Sequence, residues 1–453
     1  MVAPAAGTSA APSTEKQRVP RLEGIRGICA LGVVITHTAF ISGLVGSYDS
    51  PPTNMFAAAL MSGFTVSLSP FFVLSGLLLY RPFARASLSD KPGPPLGKFF
   101  TRRVFRLLPA YYALTLVCLF ALNLGAVDSV WYVLRPLVLM QNYDAVWMAG
   151  MDPTWSVPTE MQFYLVLPLL AWVMGKLGRT GKTMDQRVRR MMIVPAIMLV
   201  LNFPWIIYLH WGHLGPYPKE YFWPFAQLGV FAIGMAMAVI SARAQLEPDR
   251  VPALHRVVAA HPNAFWLVAL ALFVVNCFSP FARIGYFDFP YAAAAVVQLT
   301  TFLLWGPAVV LPLSVPGAAS KFQDAVLTNP PVRYLGRVSY GIYLWHFAVI
   351  YFWFQNGSMF GNDPVGVTEF RGRNSFLELI TVVVLACVIM ATISYFLVER
   401  PLQNLSDRFT RPAPPAPKPP ASEPAAGAKT VGSVVVPGSV PGPVSATPGS
   451  QRE

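Results

Sequence analysis

The stretch RLEGIRGICALGVVITHTAF, residues 21–40, decides the fold class. Its apolar run begins near Ile28 and continues to Val45, which is the length of helix, about 20 residues, that crosses a hydrocarbon core. Yet it carries Arg26 at one end and His37 inside. An ionisable side chain at membrane depth is costly unless paired or wetted, so such residues mark function. Eleven positions separate the two, about three turns plus 20°, so both project from nearly one face, about 16 Å apart. This register puts Arg26 at the inner mouth and His37 near mid-membrane. On this span alone His37 has two readings: a hydrogen-bond partner of a neighbouring helix, or a base near neutral pKa that takes a proton from a hydroxyl in a polar cavity. By charge position alone Arg26 reads as an inside-positive anchor.

The rest of the chain repeats the pattern. Of 453 residues, 54% are hydrophobic and 12% charged, against roughly 25% charged in a soluble domain. No polar linker divides residues 22–400, and one soluble core does not hide so much apolar surface. That surface faces lipid. Ten segments approach spanning length, at about 25–45, 56–80, 107–127, 159–177, 191–211, 222–241, 264–281, 290–313, 339–355 and 376–398. Residues 131–141 are a shorter apolar stretch, read as an interfacial element. The expected fold is an all-α polytopic protein of the cytoplasmic (inner) membrane with about ten transmembrane helices. All but five of the 34 Lys and Arg residues (Arg135, Lys219, Arg283, Arg371 and Arg373) then fall on one side, which makes both termini cytoplasmic. The net charge of +13 is thus explained by topology, and no nucleic-acid partner is called for. The first span lacks a small-residue cleavage site and reads as retained.

Residues 1–20 and the Pro/Ala-rich 403–453 bury too little to order and read as disordered cytoplasmic ends, with 21–402 as the membrane domain. Cys29, Cys118, Cys277 and Cys387 lie far apart in apolar runs and read as core hydrophobes, implying neither a zinc site nor a disulfide framework. No Walker loop, HExxH or GxSxG stands in a suitable setting, which weakens ATP-driven transport and zinc hydrolysis as readings.

Three further clusters stand out. MDPTWSVPTEMQFYLVLPLL, residues 151–170, brings Glu160 and Tyr164 into the entry of the fourth span. Glu160 is either a first-turn helix-dipole residue or a carboxylate that orients an imidazole or binds an acceptor; Asp152 reads as a solvated loop residue. GKFFTRRVFRLLPAYY, residues 97–112, carries Arg102, Arg103 and Arg106, with Arg102 and Arg106 on one helical face. Composition favours lipid-phosphate anchoring there; the alternative is a phosphorylated cytosolic ligand. RYLGRVSYGIYLWHFAVIYF, residues 333–352, holds Tyr340, Tyr343 and His346, and His346, about 10 Å along its span by helix rise, is within reach of polar headgroups. In FFVLSGLLLY, residues 71–80, Ser75 and Gly76 suggest close helix packing.

Together these segments resemble the acyltransferase 3 family of integral membrane O-acyltransferases. The motifs occur in family order: Arg26, ten residues, His37; FFVLSG at Phe71 to Gly76; FF-x-RR-x-x-R at Phe99 to Arg106; TWS-x-x-x-E-x-QFYL at Thr154 to Leu165; SYGIYLWH at Ser339 to His346; and VERP at Val398 to Pro401. The likeness covers about residues 20–402. The chain departs from the family's Ser-Val-Glu-Glu, with Pro158, Thr159, Glu160 and Met161 in its place, so only Glu160 is carried over.

The resemblance implies transfer of an acyl group, acetyl or succinyl, from cytosolic acyl-CoA to a hydroxyl of a cell-envelope glycan or glycolipid. Acyl-CoA is then a co-substrate, and neither a bound cofactor nor a metal is implied. It makes His37 and Glu160 the catalytic residues and gives Arg26, Arg102, Arg103 and Arg106 the donor's phosphates. Ser75, Tyr164, Tyr343 and His346 are supporting candidates. Glu160 at the outer boundary is expected to stand too far from His37 for a direct hydrogen bond. The competing reading is a multi-span transporter or proton-coupled carrier, which would more often show repeat symmetry and broken helices.

Overall fold

The computed structural model describes residues 14–46, 52, 54–144, 147–211, 214, 218–278, 291–354, 366–410 and 438, with side chains from Pro20 onward except Thr368. Arg283 and, of the segments expected to be disordered, residues 1–13 and 411–453 except 438 lie outside the described residues, while residues 14–20 and 403–410 are helical instead of disordered.

In lipid every backbone polar group must be satisfied internally, so apolar runs of this length fold as helices. The chain enters through α1 (Thr14–Ile41). Next, α2 (Met55–Gly63), a 3-10 turn at Phe64–Leu68 and α3 (Ser69–Leu88) form one 34-residue span. α4 (Leu96–Leu122), the short α5 (Val130–Leu137), α6 (Ser156–Arg179), α7 (Met184–Met191), α8 (Ile193–Leu209) and α9 (Leu228–Leu246) follow. α10 (Ala253–Ala260) and α11 (Pro262–Phe278) meet at a bend of 89°. After α12 (Ala292–Ser314) come α13 (Lys321–Leu327), α14 (Pro330–Arg337), α15 (Ser339–Phe354), α16 (Val367–Phe370), α17 (Phe376–Ser394) and α18 (Arg400–Thr410).

Among the described residues eight helices are long and apolar enough to cross a membrane, or up to nine if the bent α10–α11 pair is one span. The protein is therefore an all-α, multi-pass membrane protein. The expected count of ten departs from this because two segments are short: α11 has 17 residues and α15 has 16, against the roughly 20 that a straight crossing takes.

Helix boundaries also move the residues of interest. The first span covers Pro20–Ile41 rather than 25–45, because Gly43 takes a positive φ of 74° and turns the chain. The Arg371 guanidinium closes this end, donating to the Phe40 and Val45 carbonyls at 3.0 and 2.6 Å. His37 therefore sits about 6 Å from the end of α1, not at its middle, and Arg26 lies about 9 Å inside the span. α4 begins at Leu96 rather than 107, so the Arg102–Arg106 segment is part of the spanning helix. α18 runs to Thr410, past the expected membrane-domain end at 402.

Two packing centres frame the site. α3 lies against α9 through Gly76 and Gly234: a Cβ on Gly76 would sit 2.5 Å from the Phe231 carbonyl oxygen and 3.0 Å from the Gly234 Cα. Only glycine allows that approach. The other centre joins α1, α4, α15 and α17 around Tyr111, Leu114, Ile342 and Cys387. Between α17 and α18, Tyr395–Glu399 form a π-helical turn, a local widening often found at functional positions.

Candidate functional site

His37 of α1 meets His346 of α15. The rings stack with centroids 5.0 Å apart, and His346 Nε2 lies 2.9 Å from His37 Nδ1. His346 is fully buried and His37 half-buried. This corrects the expectation that His346 faces headgroups: α15 is packed on several sides, so its first turns are interior. The hydrogen-bond chain fixes the tautomers. His346 Nδ1 lies 2.6 Å from the Tyr343 carbonyl oxygen, which only accepts, so this nitrogen donates. In a neutral ring its Nε2 then accepts, and His37 Nδ1 is the donor of the shared bond. A hydrogen bond with the Val33 backbone, one turn earlier, also holds the ring, and Phe347 packs edge-on against it at 5.5 Å.

The pair is tied to α6 through Tyr343. The Tyr343 hydroxyl bonds the Ser156 hydroxyl at 2.7 Å and donates to the Pro153 carbonyl. The start of α6 therefore reaches the level of α15's second turn instead of stopping at an outer boundary. Asp152, just before it, is half-buried, its Oδ2 has no hydrogen-bond partner among the described residues, and it lies within electrostatic reach of Tyr351 and Cys118. It is not a solvated loop residue.

Glu160 lies one turn further along α6, where it caps nothing: Trp155 occupies the N-cap position. Its Oε1 accepts hydrogen bonds from the Ser75 hydroxyl of α3 and from the Tyr164 hydroxyl. Ser75 thus serves as a polar partner, and the close approach expected of the Ser75–Gly76 pair belongs to Gly76. Glu160 also lies within electrostatic reach of Arg26 and Arg103. Expected at opposite faces of the membrane, Arg26 and Glu160 share one cluster.

That cluster adds Arg106 and Glu399, both within reach of Arg26. Glu399, from VERP, is 3% exposed on the π turn, and was not singled out as a site residue. Tyr340 joins it, with its hydroxyl donating to the Leu107 carbonyl at 2.8 Å and its ring within reach of Glu399 and Glu160. Three guanidiniums against two carboxylates leave one net positive charge, a setting for an anionic group. Arg102 differs: it is exposed, and its Nε donates to the Thr410 hydroxyl at 3.0 Å. The pairing by helical face expected for Arg102 and Arg106 is replaced by Arg103 and Arg106 turned to one cluster.

A family model described as an acyltransferase domain matches residues 19–399, so the chain belongs to this acyltransferase family. Its relatives include the peptidoglycan O-acetyltransferase of Listeria monocytogenes, 22% identical over 86% of this chain and 56% of the relative. A Bacillus subtilis protein named "Putative peptidoglycan O-acetyltransferase" is 24% identical over 85% of this chain and 55% of its own. A Staphylococcus aureus protein named "Putative O-acetyltransferase" is 24% identical over 85% and 57%. The chain thus spans a little over half the length of these relatives. No solved structure matches the chain.

Proposed function

We propose that the chain is a membrane O-acyltransferase that moves an acyl group, acetyl or succinyl, from acyl-CoA to a hydroxyl of a cell-envelope glycan or glycolipid. The observation that carries the reading is the His37–His346 pair, two imidazoles in hydrogen-bond contact beside a protein-lined hydroxyl network. His37 Nε2 takes the proton of the acceptor hydroxyl as its oxygen attacks the thioester carbonyl. The C–S bond breaks, and the departing coenzyme A thiolate takes that proton back. His346 is the positioning residue: it orients His37 and accepts a hydrogen bond from the imidazolium that forms.

Arg26, Arg103 and Arg106 bind the donor's phosphates, and Arg102 meets them at the rim. Glu160 and Glu399 keep these guanidiniums apart and oriented, with Ser75 and Tyr164 holding Glu160 and Tyr343 holding the start of α6. An envelope glycan fits the relatives' printed names, among them peptidoglycan O-acetyltransferase. The topology proposed is ten spans, with α15 and the α10–α11 pair each counted as one and both ends of the chain on the arginine-rich, cytoplasmic side.

The test is purified chain in lipid nanodiscs with acetyl-CoA or succinyl-CoA and peptidoglycan fragments, read as free coenzyme A thiol and as mass gain on the glycan. His37→Gln is expected to lower the rate about 100- to 10,000-fold while the protein still inserts. A variant that keeps the parent's rate removes His37 as the base.

A further inference from the structure

At the end of the bundle remote from the arginine cluster, a cavity of about 440 Å³ opens between α5, the cap of α4 and the outer part of α15. We propose that it is a glycan subsite, holding an uncharged sugar ring next to the ring that is acylated. The proposal rests on the acyltransferase reading above and adds where and how the acceptor is held.

The cavity's size falls within the roughly 300–1,000 Å³ of small-ligand sites. Its lining is what a sugar needs. Trp131, 49% exposed on the first turn of α5, and Trp147 line it, and an indole is a surface on which the C–H face of a pyranose stacks, positive edge to negative ring. Asp128 and Asp144 supply acceptors for sugar hydroxyls, and Arg135 supplies donors.

The floor is rigid. Arg135 is 4% exposed, bridged to Asp144 at 2.7 Å and stacked over the Tyr132 ring at 4.6 Å. Among the described residues its Nη2, itself buried, has no hydrogen-bond partner, so the guanidinium under the cavity keeps one unsatisfied donor. Tyr132 donates to Asn123 at 3.0 Å, and Asn123 in turn holds the Ala149 backbone through both of its amide atoms. A pre-ordered site loses little entropy on binding.

Location and charge choose the occupant. Tyr351 lines the cavity and packs on Phe347 at 5.9 Å, and Phe347 packs on His37. A sugar here lies two ring contacts from the proposed base. Asn123 lies 17 residues along α4 from Arg106, about 26 Å by helix rise, so this end is separate from the donor cluster. Two carboxylates against one guanidinium make the cavity acidic, which disfavours phosphate- or uronate-bearing polymers and favours neutral rings.

The experiment measures binding of an N-acetylglucosamine tetramer to the full chain in nanodiscs by calorimetry, with a glycerol-phosphate oligomer as the anionic control. Wild type and His37→Gln are expected to bind the tetramer alike and the anionic oligomer much more weakly. Trp131→Ala, an exposed truncation that spares the core, should weaken tetramer binding about five- to tenfold. Asp128→Asn should do so more mildly. In turnover both should raise the acceptor KM by the same factor and leave the acyl-CoA KM in place. Absence of tetramer binding to wild type, or equal binding and acceptor KM in Trp131→Ala, overturns the subsite while leaving the transferase reading intact. Tetramer binding that Trp131→Ala weakens, in a protein that transfers no acyl group, keeps the sugar site and removes the transferase reading.

Discussion

A single imidazole is an indifferent base until something chooses its tautomer. Here His346 Nε2 lies against His37 Nδ1, and the Tyr343 carbonyl holds His346 Nδ1. Losing one orienting hydrogen bond is worth about 1–3 kcal/mol, so His346→Ala is expected to lower kcat about 10- to 100-fold. It should also shift the acidic limb of the pH–rate profile and leave the acyl-CoA KM alone. An unmoved pH profile would make His346 a packing residue only. Glu160 makes the second prediction: it accepts from Ser75 and Tyr164 and counters Arg26. Glu160→Gln should destabilise the detergent-solubilised protein by about 2–3 kcal/mol, read as a lower thermal midpoint. Ser75→Ala added to Glu160→Gln should cost little more, because the two side chains share one interaction.

Helices bring these residues together, and small residues decide how closely. α3 delivers Ser75 to Glu160 only because Gly76 lets it lie against α9 at Gly234. Gly76→Val puts a branched side chain where even a Cβ finds the Phe231 carbonyl at 2.5 Å. Overpacking of this kind costs about 1–3 kcal/mol. The variant should show a lower unfolding midpoint and reduced transfer together, whereas an unchanged midpoint would mean that α3 and α9 slide freely. α5 shows the other use of a helix. Val130, Leu134 and Val138 are exposed while Tyr132 and Arg135 are buried, so one face of the helix points away from the protein and the other, with Trp131 at its edge, lines the cavity. Residues 131–141 were legible as an apolar stretch too short to span, and Val130–Leu137 is a short helix; Arg135 turned inward was not legible.

Across the whole molecule the aromatic cavity lies at the C-terminal cap of α4 while Arg103 and Arg106 of the arginine cluster lie in the first half of that helix, and the histidine pair is set toward the cavity. In the proposed function a charged thioester donor and a glycan acceptor approach from opposite faces. Orientation is testable because the four native cysteines are buried. In intact cells a membrane-impermeant thiol reagent should label Asp128→Cys, on the aromatic side, and spare Lys91→Cys, in the exposed turn between α3 and α4. The opposite pattern would invert the proposed topology.

Composition and apolar run length established a helical membrane protein, and the spacing of Arg26 and His37 put two ionisable side chains on nearly one face of its first span. Those are local properties: hydropathy and helical period act over a few turns, and they hold wherever the helix is placed. Partners are another matter. His346 stands 309 positions from His37, and Arg26 shares a cluster with Glu160 because α6 starts well inside the bundle. The rotation, tilt and depth of each helix follow from how glycines, aromatic rings and buried hydrogen bonds fit across neighbours, and no one segment holds that information. Tertiary structure therefore decided which imidazole faces which, which arginines share a carboxylate, and where a cavity remains for a sugar.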